Sequence, residues 1–202
     1  MVTEMTYTHH WFPGTRAELL ARLREQLNDS RYQHVLRVEA TAIQLAQANG
    51  VELEKASVAG LTHDYAKQRP DQDFIAAIHR YGLDPALLAY GNPIWHGAVG
   101  AELIKRELHI TDEDILNATR HHTTGAEYMT PLEQIVYMAD FIEPARDFPG
   151  VDRARELTAK ELGLGVAYQA KHTLAYLINN GKVVYPKSLV TYNAWIQRYP
   201  NV

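Results

Sequence analysis

Apolar residues recur every three or four positions along almost the whole chain, which is the spacing of the buried face of an α-helix. Leu19, Leu23 and Leu27 form the first such stripe, behind a capping box made by Thr15 and Glu18. Alternation of apolar and polar residues, which is typical of half-buried strands, is rare. The pattern therefore predicts an all-α fold.

Capping and turn residues divide this pattern into separate helices. The predicted helices lie at about residues 15–27, 31–49, 52–66, 71–81, 84–91, 93–108, 111–122, 130–142, 151–160, 165–180 and 187–199. Asp71 and Thr111 are predicted N-caps, and His63 and Asp64 are expected in the last turn of the third helix. Residues 181–186, rich in valine and tyrosine, are the one weakly strand-like segment.

The chain shows no internal repeat and no linker, so we predict a single domain over residues 15–202. Residues 1–14 form an N-terminal leader. This leader follows no helical or strand pattern, and we expect a frayed end in which His9 and His10 bind nothing.

Composition and charge exclude several classes of protein. The 202 residues carry a net charge of −4, and no run of lysine and arginine suggests a nucleic-acid surface. No stretch approaches the roughly 20 apolar residues of a membrane span, and the N-terminus lacks the basic and apolar parts of a signal peptide. We therefore expect a cytoplasmic protein without nucleic-acid or membrane partners. Cysteine is absent, so any metal must be held by histidine and carboxylate side chains.

Four histidines and two aspartates stand on the inward stripe or at the end of different predicted helices, where leucine or alanine is usual. A buried carboxylate without a partner costs several kcal/mol, so these residues require a counter-charge, and a cluster of metal ions would provide it. For any one histidine, a hydrogen-bonded core residue is the more common explanation. The six residues are His34, His63, Asp64, His96, His122 and Asp140. His121, next to His122, is the alternative ligand if the helix register is shifted by one.

In their order along the chain, these residues resemble the HD superfamily of metal-dependent phosphohydrolases. The minimal pattern of that superfamily is a histidine, a His-Asp pair and a distant aspartate on an all-helical domain. Members with binuclear sites carry two further histidines between the pair and the last aspartate, and His96 and His122 fill these places. The resemblance implies a single HD-domain helical bundle with a buried binuclear metal site.

Local sequence words narrow the resemblance. They look like the bacterial YqeK family, HD-domain hydrolases that split diadenosine tetraphosphate symmetrically into two ADP. The words are RYQH (31–34), AGLTHDYAK (59–67), HGAVG (96–100), RHHTTG (120–125), YMADFIEP (137–144) and RDFPG (146–150). The likeness runs from about residue 15 to the C-terminal helix. Thr62, where the family commonly has an aliphatic residue, and the longer leader are minor departures.

The resemblance also implies how the ligands are shared. One metal would be held by His34, His63, Asp64 and Asp140, and the second by His96, His122 and a bridging Asp64. The family suggests iron, although the same ligands accept manganese, cobalt, nickel or zinc. Two metal ions about 3.5–4 Å apart can hold a water as a bridging hydroxide that attacks the phosphoryl group. We predict Asp64 and His63 as catalytic residues, with Asp64 positioning this nucleophile and accepting its proton.

A dinucleoside polyphosphate brings several negative charges, so an acidic protein must provide local cations to bind it. Lys67, three residues after Asp64, is the first candidate, and Arg146 is the second. Thr123 can donate its hydroxyl to a phosphate oxygen. Tyr185 could stack on adenine. Each of the two cations is as well explained as a solvated surface charge.

Other functions remain open at this point. The chain could be a broader HD-domain nucleotide phosphohydrolase, a binuclear-iron oxygenase, or a nucleotide sensor that binds without turnover. A cyclic-dinucleotide phosphodiesterase is disfavoured because the Gly-Tyr-Pro signature of that subclass does not follow the His-Asp pair. The oligomeric state is undetermined, and a homodimer is one option.

Overall fold

The computed structural model describes residues 5–202, and all regular structure in this part of the chain is helical. The prediction of an all-α fold is confirmed. Residues 181–186, expected to be weakly strand-like, contain no strand and lead through a turn and coil into the last helix. The α-helices are, in chain order, α1 (Arg16–Gln26), α2 (Asp29–Asn49), α3 (Leu53–Thr62), α4 (Asp71–Arg80), α5 (Asn92–Ala98), α6 (Gly100–Glu107), α7 (Glu113–His121), α8 (Pro131–Ile142), α9 (Val151–Lys160), α10 (Leu162–Asn179) and α11 (Pro186–Arg198), with a 3-10 helix (Pro85–Ala89) between α4 and α5.

Two helices begin at other residues than predicted because other side chains cap them. The Asn28 side chain accepts the backbone N–H of Arg31 at 3.0 Å, so α2 begins two residues earlier than expected. Asp112 rather than Thr111 caps α7, and its carboxylate accepts the backbone N–H of Ile115 at 3.1 Å. Neighbouring polar residues compete for the cap position, and the apolar pattern does not choose between them.

Proline and glycine account for two further differences. Asp71 is the first residue of α4 and not its cap, because the cap position is Pro70, which makes no side-chain cap bond. The long helix predicted in the middle of the chain is two helices, α5 and α6, which meet at Val99. Gly97 and Gly100 lie on either side of this junction, and their low helix propensity weakens the continuous helix there.

The helix α2 is the central element: it packs along α3 and α8, and α7 completes a four-helix core by packing on the same two helices. The helix α1 closes one side, α5 and α6 lie against α7, α9 and α10 lie on α8, and α11 packs on α10. Buried side chains such as Val38, Leu61 and Ile135 fill the space between the core helices. No helix within residues 5–202 has both the length and the apolar character needed to cross a bilayer.

The helices α2 and α3 approach each other closely at Gly60. A methyl group at this position would lie 3.0 Å from the Cα of Glu39 and 3.3 Å from the Cβ of Ala42. Only glycine allows the two backbones to come this near without a shift of one helix. The contact therefore fixes the end of α3, which carries His63 and Asp64, relative to α2.

The N-terminal segment packs against the body of the protein from Tyr7 onward, so the expectation of a frayed end is wrong for this part. Tyr7 and Phe12 are buried, and the Tyr7 hydroxyl lies 2.9 Å from the Ser57 hydroxyl. The carboxylate of Glu54 accepts the backbone N–H of Thr8 at 2.6 Å. Aromatic side chains hold this segment, and they follow no helical period that the sequence pattern could reveal. The first four residues lie outside the described part, and the domain boundary at residue 15 stays a prediction.

We expect Gly60→Val to destabilise the protein by about 1–3 kcal/mol, because the added side chain meets the backbone of α2. Ala48→Val, which adds similar bulk on an exposed position of α2, should change stability by only a few tenths of a kcal/mol. Urea denaturation followed by circular dichroism measures both. Equal stability of the two variants would contradict the close contact.

Candidate metal centre

The six candidate ligands come from five different elements and meet in one cluster beside the C-terminal ends of α3, α7 and α8. His63 and His122 are the C-terminal cap residues of α3 and α7. Asp64 follows in the next turn, just beyond the helix in which it was expected, and Asp140 lies in the last turn of α8. The helices α2 and α5 supply the other two ligands. The fold therefore brings together all six residues that the sequence singled out.

The cluster is buried except on one side, which is more exposed than the others. The Asp140 side chain is 21% exposed, so the cluster opens to solvent beside this carboxylate. Each of the other five has an exposed fraction of 5% or less: His34, His63, Asp64, His96 and His122.

The two oxygens of Asp64 face different pairs of histidines. Oδ2 lies 3.6 Å from Nε2 of His34 and 3.5 Å from Nε2 of His63. Oδ1 lies 3.5 Å from Nε2 of His96 and 3.7 Å from Nε2 of His122. The cluster thus consists of two halves that share this one carboxylate.

Asp140 belongs to the first half. Its Oδ1 lies 3.1 Å from Nε2 of His34 and 3.9 Å from Nε2 of His63. The first half therefore offers two imidazoles and two carboxylates, whereas the second offers two imidazoles and Asp64 alone.

A close helix contact positions the second half. The helix α5 approaches α7 at Gly97, where a methyl group would lie 3.0 Å from the carbonyl oxygen of Thr119 and 3.5 Å from Cε1 of His122. Because glycine permits this approach, the Nε2 atoms of His96 and His122 come within 3.0 Å of each other.

Backbone carbonyls orient three of the four imidazoles. A carbonyl oxygen only accepts, so the Nδ1 atom that contacts it carries the proton, and Nε2 presents its lone pair to the cluster. Gly60 and Thr119 lie in the last turns of α3 and α7, where carbonyls lack a helical partner and are free to accept, whereas Asn92 begins α5 and lies one turn before His96. The pairs are His63 Nδ1 with the Gly60 oxygen at 2.7 Å, His122 Nδ1 with the Thr119 oxygen at 2.7 Å, and His96 Nδ1 with the Asn92 oxygen at 2.6 Å.

A buried glutamate, which the sequence reasoning missed, orients the fourth imidazole. Oε1 of Glu143 lies 3.2 Å from Nδ1 of His34, and Nε of Arg37 donates to Oε2 of Glu143 at 2.7 Å. Burial would raise the pKa of Glu143, but the bonds from Arg37 and from the backbone N–H of Ala145 lower it to about 2. Glu143 is therefore an ionised acceptor that holds the His34 ring.

The donors fit a divalent metal ion. The Nε2 atoms of His34 and His63 are buried and have no hydrogen-bond partner, an arrangement that is costly unless something else occupies their lone pairs. Imidazole nitrogen and carboxylate oxygen together suit iron, manganese, cobalt, nickel or zinc. The residues present therefore match the requirements of a metal site.

The charge states point the same way. Burial would raise the pKa of Asp64, but the surrounding imidazoles, above all His63, hold it well below its usual range. Burial lowers the pKa of His63, yet the carboxylates of Asp64 and Asp140 raise it overall. Burial and the nearby His122 lower the pKa of His96 to about 3. The first half therefore favours a positive charge, while His96 is neutral, as a metal ligand must be.

Two of the residues predicted to contact substrate lie at the second half of the cluster. Nζ of Lys67 is 3.1 Å from Nε2 of His96. The hydroxyl of Thr123 is 3.1 Å from Nε2 of His96 and 3.0 Å from Nε2 of His122. Both polar groups therefore reach the same histidine pair.

Two arginines lie at the first half. Nε of Arg146 donates to the backbone oxygen of Asp140 at 2.8 Å, and its guanidinium also pairs with the Asp140 carboxylate. Arg31, which the sequence reasoning missed, donates to Oδ2 of Asp64 at 2.7 Å. It lies three residues before His34, and this helical spacing could have revealed it.

Tyr185 and His121 lie elsewhere. The Tyr185 ring is only 9% exposed and packs edge to face on Tyr90, with ring centroids 4.7 Å apart, in an apolar cluster around Trp95. Its packed position gives no support to stacking on adenine. Nδ1 of His121 lies 2.6 Å from the Glu133 carboxylate, so the structure keeps His122 and not His121 in the ligand position.

One further group has the spacing of a metal site: His9 with Glu52 and Glu54. The Glu54 carboxylate already accepts the backbone N–H groups of Thr8 and His9, at 2.6 and 3.0 Å. This group therefore anchors the N-terminal segment.

Comparison with known families shows to which family this arrangement of residues belongs. Residues 31–145 match the family model described as HD domain, and this range contains all six candidate ligands. The chain belongs to the HD domain family. The family resemblance inferred from the sequence is confirmed.

Relatives extend the match over nearly the whole chain. A protein of Bacillus subtilis (strain 168) named symmetrical bis(5'-nucleosyl)-tetraphosphatase is 42% identical over 181 residues, which are 90% of this chain and 97% of the relative. Proteins of the same name from Halalkalibacterium halodurans and Staphylococcus aureus are 37% and 38% identical, over 88% and 86% of this chain and 95% and 90% of their own lengths. This member of the HD domain family is thus similar to these enzymes over most of its length.

A solved structure shares the fold. It is a protein of Clostridium acetobutylicum described as a predicted HD superfamily hydrolase involved in NAD metabolism, with a TM-score of 0.87 and 34% sequence identity. The match covers 92% of this chain and 98% of the other. The helical bundle and the order of its helices are therefore those of an HD-domain hydrolase.

We expect Glu143→Ala to weaken metal binding about 10- to 100-fold, because it removes the acceptor that orients His34. Competition with a chromogenic chelator measures the affinity, and circular dichroism reports on the fold.

Glu133→Ala is the matched control, since Glu133 is another buried glutamate that holds a histidine outside the cluster. This variant should bind metal as the wild type does. An equal loss in both variants would show that general destabilisation, and not the orientation of His34, causes the effect.

Proposed function

We propose that this protein is a metal-dependent hydrolase that cleaves diadenosine tetraphosphate symmetrically into two ADP. The observation that carries the proposal is the likeness to three enzymes of this name, 37–42% identical over at least 86% of the chain. The buried cluster of four histidines and two aspartates gives the same fold a place for the metal that the chemistry requires.

We infer that the centre holds two metal ions, with iron as the metal suggested by the family. His34, His63 and Asp140 with Oδ2 of Asp64 would hold one, and His96 and His122 with Oδ1 of Asp64 would hold the other. The division of the four imidazoles between the two oxygens of Asp64 supports this assignment. When bound, such a pair of cations supplies Lewis acidity for phosphoryl oxygens and a water nucleophile at neutral pH.

The catalytic role falls to Asp64 and His63. Asp64 is buried, its low pKa keeps it ionised, and its two oxygens face both halves of the cluster. We assign to this carboxylate the positioning of the attacking water, since a pKa well below its usual range makes it an ionised ligand and a weak base. His63, fixed by the Gly60 carbonyl, holds the first half in place opposite Asp64.

The cations around the centre suit a symmetrical cut. The cation Lys67 and the neutral hydroxyl of Thr123 lie at the second half, whereas the cations Arg146 and Arg31 lie at the first. A tetraphosphate that crosses the centre would therefore meet positive charge on both sides, with two phosphates on each. Such placement offsets the repulsion that an acidic protein would otherwise exert on this substrate.

We expect the metal-loaded protein to convert diadenosine tetraphosphate into ADP as the sole nucleotide product. Anion-exchange chromatography identifies the products. ATP plus AMP would reject symmetrical cleavage, and wider cleavage of mononucleotides would favour a broader phosphohydrolase. Binding without any product would favour a nucleotide sensor. His63→Ala and Asp64→Ala should lose bound metal and activity together, and full activity in either variant would refute the assigned centre.

We expect Lys67→Ala and Arg146→Ala each to lower kcat/KM about 10- to 100-fold while metal content is unchanged, since each removes a charged contact worth about 1.5–3 kcal/mol. Steady-state kinetics and metal analysis check this. Lys160→Ala, an exposed lysine at the end of α9, is the control and should behave as wild type. If Lys67→Ala and Arg146→Ala match this control, the two residues are solvated charges and do not bind phosphate.

A further inference from the structure

Four aromatic side chains form a cluster next to the metal centre, and they take no part in the proposed metal binding or phosphate binding. They are Phe141, Phe148, Tyr168 and His172, and we call them the aromatic cluster. Phe141 and Phe148 have ring centroids 4.8 Å apart, and His172 lies 5.7 Å and 5.4 Å from these two rings. Tyr168 stacks on His172 with centroids 5.9 Å apart. All four side chains are only partly buried, so their surface is accessible to a ligand.

Along the chain, the aromatic cluster adjoins the more exposed side of the metal centre, at Asp140. Phe141 directly follows Asp140, the most exposed of the six candidate ligands. Consecutive residues of a helix diverge by about 100°, so Asp140 turns toward His34 while Phe141 turns toward His172. Arg146, whose guanidinium pairs with Asp140, lies two residues before Phe148. The aromatic cluster and Arg146 are therefore neighbours along both α8 and the loop that follows it.

The loop that carries Phe148 is held at both ends. The Arg155 guanidinium donates to the backbone oxygens of Glu143 at 3.2 Å and of Arg146 at 2.9 Å. At the other end, Nε2 of His172 lies 3.0 Å from the Pro149 oxygen, and the Tyr168 hydroxyl donates to the Gly150 oxygen at 3.2 Å. Two members of the aromatic cluster therefore fix the loop on which a third one stands. A surface organised in this way loses little entropy when a ligand binds.

We propose that the aromatic cluster is the platform on which one nucleobase of the substrate stacks while the adjoining phosphates pass Arg146 into the metal centre. This inference rests on the proposed function and deepens it by placing the nucleoside end of the substrate. Every base offers a flat π-face to an aromatic ring, so the platform accepts adenine and guanine alike. Tyr185, the aromatic residue that the sequence suggested for this role, is packed on Tyr90 instead.

The test compares binding of ADP, which carries a base, with binding of pyrophosphate, which does not. Titrations use the metal-loaded full-length protein and calorimetry. We expect Phe148→Leu, which keeps apolar bulk in the loop but lacks a flat ring, to weaken ADP binding about tenfold or more and to leave pyrophosphate binding unchanged. Phe148→Tyr should restore the ADP affinity. Tyr128→Leu, at a tyrosine that is 71% exposed outside the cluster, should bind both as the wild type does.

Several results would overturn the platform. These are an unchanged ADP affinity in Phe148→Leu, an equal loss of ADP and pyrophosphate binding, failure of Phe148→Tyr to restore binding, or a wild type that binds ADP no better than pyrophosphate. Failure of the proposed function looks different: the wild type would prefer ADP to pyrophosphate yet release no product from diadenosine tetraphosphate. Because the binding measurement needs no turnover, the two failures are distinguishable.

Discussion

The buried carboxylate of Asp64, set between two pairs of imidazoles, is the interaction on which the rest of the structure depends. A negative charge with an exposed fraction of 2% is stable only if positive charge surrounds it. Five different elements therefore deliver ligands to one point, and their approach must be close. Gly60 and Gly97 permit two of these approaches, between α2 and α3 and between α5 and α7. The close packing of the helices and the assembly of the cluster thus depend on each other.

The polar groups around this carboxylate are arranged in order from inside to outside. Arg31 and the four imidazoles lie against the Asp64 carboxylate, Lys67 and Arg146 lie at the edge, and the aromatic cluster follows Arg146 along the chain. That order matches the order of groups in a nucleotide, from the reacting phosphate through its neighbours to the base. In the proposed function a polyphosphate would meet Lys67 and Arg146 at this edge, which would offset the repulsion expected from a net charge of −4.

The sequence predicted the all-α fold and the members of the cluster well, because periodic apolar stripes expose any polar residue that interrupts them. The sequence did not predict the position of a side chain whose contact partner is distant along the chain. The contact of Tyr185 with Tyr90 joins segments that no local pattern relates, so its packed position was not predicted, and its stacking on adenine stays a prediction. Glu143 lies just beyond a predicted helix, and no local pattern shows that it holds His34, more than a hundred residues earlier. The packed leader escaped notice for the same reason, since Tyr7 reaches Ser57 on α3.

The main-chain carbonyls that orient His63, His96 and His122 have a consequence for how the protein can evolve. No substitution removes a backbone carbonyl, so the orientation of these three rings is retained when the side chains around them change. His34 differs, because its aim depends on the Glu143 side chain. The two halves of the cluster are therefore unequal: the main chain orients both rings of the second half, whereas in the first half it orients only His63, and the orientation of His34 can change by mutation of Glu143.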